Sequence, residues 1–154
     1  MNLNKNISIN LWVAILVLVS MTLLALVPKN NSVPTSEKQQ RHRIVFQLSS
    51  ADTLTQRGLL KNLQNLLTEW PDAQIEVVNH SQGLDFVLAK ESLFSKEISG
   101  FIKKGVVFAA CENTLKSRKL DKFALLPGIT TVPSGVAEIV KKQEEGWSYL
   151  KAGN

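Results

Sequence analysis

The run Gly105-Val106-Val107-Phe108-Ala109-Ala110 contains no polar side chain. A segment that short and that uniformly apolar fits a strand covered on both faces, as in the centre of a parallel sheet. Its surroundings agree. Arg43-Ile44-Val45-Phe46-Gln47-Leu48 is β-branched and aromatic and predicts a first strand. It stops at Ser49-Ser50-Ala51-Asp52, whose side chains can cap a helix, and Leu54, Leu59, Leu60, Leu63, Leu66 and Leu67 then recur at helical spacing until Trp70-Pro71. Ile75-Glu76-Val77-Val78 predicts a second strand. A short helix over Leu84–Ala89 and another from Ser92 to Lys103 follow. Thr130-Thr131-Val132 predicts a fourth strand, Pro133-Ser134-Gly135 opens a last helix ending near Gly146, and Trp147–Leu150 predicts a final short strand. Strands that alternate with helices through short crossovers imply an α/β fold with a mainly parallel, roughly five-stranded sheet covered on both faces. Trp70, Trp147 and Tyr149 read as packing residues at element ends.

Ahead of this region, Leu11–Val27 is apolar apart from Ser20 and Thr22. It is just long enough to cross a hydrocarbon core, and no small-x-small cleavage site follows it. The sequence therefore predicts an N-terminal signal anchor or signal peptide over 1–29, a polar linker over 30–41 and one folded domain over 42–152. The expectation is an inner-membrane anchored or exported protein, held through residues 11–27, with its domain in the periplasm.

Charge argues against a nucleic-acid partner. From Arg41 onward there are 15 basic and 12 acidic residues, and they are interspersed, as in Lys141-Lys142-Gln143-Glu144-Glu145. That pattern fits a solvated helix face rather than a phosphate-binding stripe. No GxSxG, GxGxxG or GxxxxGK[ST] motif occurs, so the common hydrolase, dinucleotide and nucleotide-triphosphate classes lose their usual signatures. No cofactor is expected. The single cysteine, Cys111, excludes an internal disulfide and any Cys-rich metal site, and none is predicted.

In open α/β sheets the residues just past the strands gather at one rim. Here that rim would hold Ser49, Asn79, His80, Cys111, Asn113, Thr114, Ser134 and Gly135. Cys111 is the best catalytic candidate. At the end of a central strand it meets free backbone N–H groups, which favour the reactive thiolate. The competing view is that free cysteine is commonly a buried, inert packing residue. His80 could serve as base or hydrogen-bond donor if the sheet brings it near Cys111.

The segment Lys104-Gly105-Val106-Val107-Phe108-Ala109-Ala110-Cys111-Glu112-Asn113-Thr114 resembles the cysteine segment of DsrE/DsrF-like proteins. Glu76–Gly83 is similar to their strand-end histidine–glycine region. Leu126-Pro127-Gly128 and Val132-Pro133-Ser134-Gly135-Val136, with Gln143 and Gly146-Trp147, also match in order. The resemblance implies a flavodoxin-like, DsrE-like three-layer sandwich that forms a homo-oligomer. It implies that Cys111 carries sulfur as a persulfide, or acts as a redox thiol, with a sulfur donor or acceptor protein as partner. The alternative is a non-catalytic oligomeric module that binds a ligand or protein, with Cys111 structural.

Overall fold

The computed structural model describes residues 41–153. They contain five strands: β1 (Arg43–Leu48), β2 (Gln74–Asn79), β3 (Val107–Cys111), β4 (Thr130–Val132) and β5 (Ser148–Lys151). Four α-helices connect them: α1 (Thr53–Glu69), α2 (Ser95–Lys103), α3 (Glu112–Ser117) and α4 (Gly135–Glu144). The sheet order is β4-β3-β2-β1-β5, and all neighbours are parallel.

This order, together with the right-handedness of parallel crossovers, decides what covers each face. The chain steps in one direction from β1 to β4, so α1, α2 and α3 belong to one side. It then turns back past three strands to reach β5, which puts α4 on the other side. The first face carries Ile44, Phe46, Leu48, Ile75, Val77, Phe108 and Ala110, packed against Leu59 and Leu63 of α1 and Ile98 and Phe101 of α2. The second face has a much smaller apolar group, Val45, Val78 and Ile139 with Trp147 against them.

On that thin face α4 is also held by charge. Lys142 Nζ lies 2.8 Å from the buried carboxylate of Glu76 on β2, 3.6 Å from Glu138, and 4.4 Å from the centroid of the Trp147 ring. Burial works against the Lys142 cation. The hydrogen bond that Lys142 donates to Glu76 and the charges of Glu76, Glu138 and Glu145 outweigh it and hold the amine above its ordinary value. A buried carboxylate on a strand demands a counter-ion, so this pair specifies where α4 docks.

Local chemistry sets the boundaries. The Asp52 carboxylate accepts the Thr55 N–H at 2.7 Å and caps α1, while Ser134 Oγ accepts from Ala137 N–H at 3.5 Å and caps α4. The helix expected over Leu84–Ala89 is instead a 3₁₀ segment, Ser81–Val87. It starts earlier because Gly83 lets the chain press onto the end of β1. A Cβ at Gly83 would collide with the Leu48 carbonyl and stand 2.9 Å from the Ser49 nitrogen. Tyr149 is also more than packing, since its hydroxyl donates to Gln47 Oε1.

The membrane expectation is corrected. Among the described residues no helix is long and apolar enough to cross a membrane. The longest, α1, is amphipathic and carries Arg57, Lys61 and Glu69 on its exposed side. The signal-anchor, transmembrane, inner-membrane and periplasmic assignments rested on residues 11–27 and are set aside; that run lies outside the described residues, as does most of the expected linker.

Gly83→Ala forces backbone to move against backbone, and the expected cost is about 1–3 kcal/mol or more. Chemical denaturation checks it: a midpoint equal to wild type would mean that the 3₁₀ segment is not pinned to β1.

Candidate functional site

β3 ends at Cys111, which is also the residue before the first turn of α3. Because Ala110 pairs with Asn79 and shares its side of the sheet, Cys111 points to the opposite, α4-covered side. There the N-terminus of α4 closes over it. The Gly135 N–H donates to Cys111 Sγ at 3.2 Å. A side chain at 135 would not fit comfortably: a Cβ would stand 3.1 Å from His80 Cβ, 3.2 Å from Val78 Cγ1 and 3.3 Å from Cys111 Cβ.

The sulfur sits among donors. Burial raises the thiol pKa, and it is the largest single influence. Against it act the Thr114 hydroxyl and the N–H groups of Gly135, Thr114 and Asn113, which together hold the thiol below its ordinary value. The Asn113 N–H is shared with the Pro133 carbonyl, 3.2 Å away. Glu112, next in sequence, does not oppose the thiolate as a free charge would. Its carboxylate is bound by Lys122 at 2.6 Å and by Thr131 at 2.8 Å, and these hydrogen bonds keep it well ionised and paired.

The other expected site residues are divided by the pleat. Gly135, Thr114 and Asn113 surround the sulfur. Ser134 lies one residue before Gly135 and caps α4. His80 is beside the site but does not bond to the thiol among the described contacts. Its Nε2 is 2.8 Å from Gln47 Nε2, its Nδ1 is 3.0 Å from Ser81 Oγ, and burial holds the imidazole below its usual pKa. Asn79 is on the far side of the sheet, fully buried. Its Nδ2 donates to Val77 O at 3.0 Å and Ala109 O at 3.2 Å, stitching β2 to β3, while its Oδ1 is left without a partner. Ser49 stands beside Gly83 at the end of β1, with no hydrogen bond to Cys111 among the described residues.

Sequence reasoning missed Gln47 and Ser81. Gln47 is a polar residue facing an interior position of a central strand, and that was the available signal. Ser81 has φ 53°, a left-handed backbone unusual for a non-glycine residue, and sequence carries no mark of it. Ser81, Gln82, Asp85, Thr114, Ser117 and Arg118 line a polar cleft of about 290 Å³ beside α3. Arg118 and Asp85 form an ion pair at 2.5 Å across it. Thr114 thus stands between this cleft and the sulfur. Among the described residues no group of three or more His, Cys, Asp or Glu side chains could hold a metal ion.

Removing the Thr114 hydroxyl in Thr114→Val takes away one of the groups that lower the Cys111 pKa. The expected result is a Cys111 titration, followed by thiolate absorbance, whose midpoint moves upward. In the wild type the folded thiol titrates below the unfolded one, so the native state binds fewer protons in that interval. Stability therefore increases as pH rises through it and is lost as pH falls. An unmoved midpoint in folded Thr114→Val would remove Thr114 from the site.

The model of the DsrE/DsrF-like family matches residues 33–152. Among solved structures, a protein of unknown function, MTH1491, from Methanobacterium thermoautotrophicum is 36% identical with a TM-score of 0.69, covering 71% of this chain and 98% of that one. A conserved protein of unknown function, BT1422, from Bacteroides thetaiotaomicron is 14% identical with a TM-score of 0.60, covering 71% and 93%. The ychN protein from E. coli is 9% identical with a TM-score of 0.60, covering 72% and 98%; these last two share the fold alone. No match was found among curated proteins.

Proposed function

Because the chain belongs to the DsrE/DsrF-like family, whose members suggest a sulfur-relay or related role, we propose that it is a sulfur carrier using Cys111. The observation that supports this reading is the Gly135 N–H donated to Cys111 Sγ at 3.2 Å, beside which the Thr114 hydroxyl and the Thr114 and Asn113 N–H groups also act to lower the thiol pKa. A purely structural cysteine needs no hydrogen bonds, because sulfur in a core is adequately served by packing. Donors directed at sulfur favour the charged form, which is the nucleophile.

In the proposed step the Cys111 thiolate attacks the outer sulfur of a donor persulfide. A new S–S bond forms at Sγ, the donor's S–S bond breaks, and the donor departs as a thiolate. In the second step an acceptor thiolate attacks the outer sulfur held on Cys111. The sulfur moves to the acceptor and Cys111 returns to its thiolate, so the cycle needs no external oxidant or reductant. Cys111 is the only cysteine in the sequence. A partner must therefore supply the accepting thiol, and the same partner class fits a thiol-redox role. His80 serves as a neutral wall of the site rather than as a base, both ring nitrogens being engaged elsewhere.

One observation favours the second reading, a non-catalytic oligomeric binding module. Cys111 is only 5% exposed, so sulfur transfer requires α4 or the Ser81 region to open. Self-association fits both readings. It is supported by the exposed apolar residues Val136 and Val140, one turn apart on α4.

Mass spectrometry of the intact native chain after incubation with a low-molecular-weight persulfide separates them. The expected outcome is one added sulfur on the wild type, removed by reductant, and none on Cys111→Ser. A wild-type chain that takes up no sulfur would leave the binding module as the better reading.

A further inference from the structure

Past Cys111 the chain closes a short helix at a cost in backbone strain. α3, Glu112–Ser117, has six residues, so its far end lies only about 9 Å along the axis from the cysteine. Two bonds close it: the Leu120 N–H donates to the Leu115 carbonyl at 2.9 Å, and the Lys119 N–H donates to the Lys116 carbonyl at 3.0 Å. That closure needs a left-handed residue at 119, a place glycine usually takes. Here it is lysine, with φ 55°. Leu120 is thereby drawn against the core that holds Leu115, while Lys119 is left exposed.

The chain then folds back onto the start of α3. Lys122 Nζ reaches Glu112 Oε1 at 2.6 Å, and Glu112 is the residue after Cys111. The Asp121 carboxylate accepts the Phe123 N–H at 2.9 Å and fixes a 3₁₀ turn, Lys122–Ala124. Ala124 and Leu125 pack on the core, but Phe123 does not; it is 96% exposed, the most of any large apolar residue described. From Glu112 to Phe123 there are four basic and two acidic residues. The acids are already occupied, Glu112 by Lys122 and Asp121 by the turn it caps, and Arg118 is paired with Asp85. Lys116 and Lys119 have no ion-pair partner among the described residues.

We infer that Lys116, Lys119 and Phe123 form the docking surface for an acidic partner protein, which brings its thiol to Cys111 across the short helix α3. The inference rests on the sulfur-carrier reading, in which the donor and acceptor thiols belong to a partner. Two unpaired cations beside an exposed aromatic ring fit a protein surface that offers carboxylates around an apolar pocket. A nucleic acid fits less well, because Asp85, Glu112 and Asp121 stand among the cations and repel phosphates. Glycine at 119 would close the helix with less strain. A charge used in docking accounts for the lysine there.

The test uses the full chain at low salt with two synthetic peptides of equal length, one rich in glutamate and one rich in lysine, each carrying one cysteine persulfide. Intact-protein mass spectrometry follows sulfur reaching Cys111. The expected result is loading about tenfold faster from the acidic peptide, an advantage that disappears at high salt. Lys119→Gly is expected to cut that ratio several-fold while its denaturation midpoint rises, because glycine relieves the left-handed strain; a lysine with no docking role would move the midpoint alone. Phe123→Ser is expected to slow loading from the acidic peptide several-fold. Equal rates from the two peptides would overturn the docking surface and leave the sulfur carrier standing. If neither peptide loads sulfur, the sulfur-carrier reading fails, and amide resonance shifts with the glutamate-rich peptide in its plain thiol form decide the surface. Shifts confined to residues 116–123 support it, and their absence overturns it. The same shifts produced more strongly by a single-stranded oligonucleotide, or by concentrating the chain alone, would give the surface to a nucleic acid or to a second copy and overturn the proposal.

Discussion

Gly135 gives its N–H to Cys111 Sγ at 3.2 Å, and that contact imposes conditions on much of the fold. The helix that starts at Gly135 must lie on the side of the sheet toward which Cys111 points. The reversal of direction between β4 and β5 puts it there, since a right-handed crossover cannot return on the face already used. The helix must also be seated at its far end. The Glu76–Lys142 pair and Trp147 supply that seat, on a face whose apolar group is too small to specify the docking alone. Position 135 must lack a side chain, because His80, Val78 and Cys111 leave no comfortable room for one.

The donors around the sulfur come from two separate stretches of chain, and a third stretch holds one of them. β3 and α3 bring Thr114 and Asn113, the β4–α4 junction brings Gly135, and the loop after β2 brings Ser81, which holds Thr114. Such convergence at the carboxyl ends of parallel strands is what this architecture makes available. It also explains how a buried thiol can be held below its ordinary pKa. Burial alone would push it up, and several hydrogen bonds acting together reverse the sign. The ion pair of Glu112 with Lys122, and the hydrogen bond it accepts from the Thr131 hydroxyl, keep the one carboxylate beside Cys111 in sequence from working against it.

Much of the fold could be read from the residues. The apolar run ending at Ala110 marked the central strand, and the turn chemistry at Asp52 and Ser134 marked two helix starts. Strand order was not legible, because period-2 patterns give faces but not neighbours. The site was legible in part. Cys111, Thr114, Asn113 and Gly135 were found by collecting residues beyond strand ends. Asn79 was collected the same way and lies on the wrong face, because a one-residue step along a strand reverses a side chain. His80 was collected at the same rim as the cysteine, with its nearness left conditional on the sheet, and the sequence could not show that its two nitrogens are engaged by Gln47 and Ser81. The apolar run of residues 11–27 spoke for a membrane anchor; none of the described helices can cross a membrane, and that assignment has been withdrawn.

The central claim is that the donors around Cys111 exist to hold an anionic sulfur. A crystal structure of the chain after treatment with a low-molecular-weight persulfide tests it most directly. The account predicts a second sulfur bonded to Sγ, with the negative charge of the pair within hydrogen-bonding distance of the Gly135 N–H and the Thr114 hydroxyl. An unmodified Cys111, or an outer sulfur turned away from both donors, would contradict it.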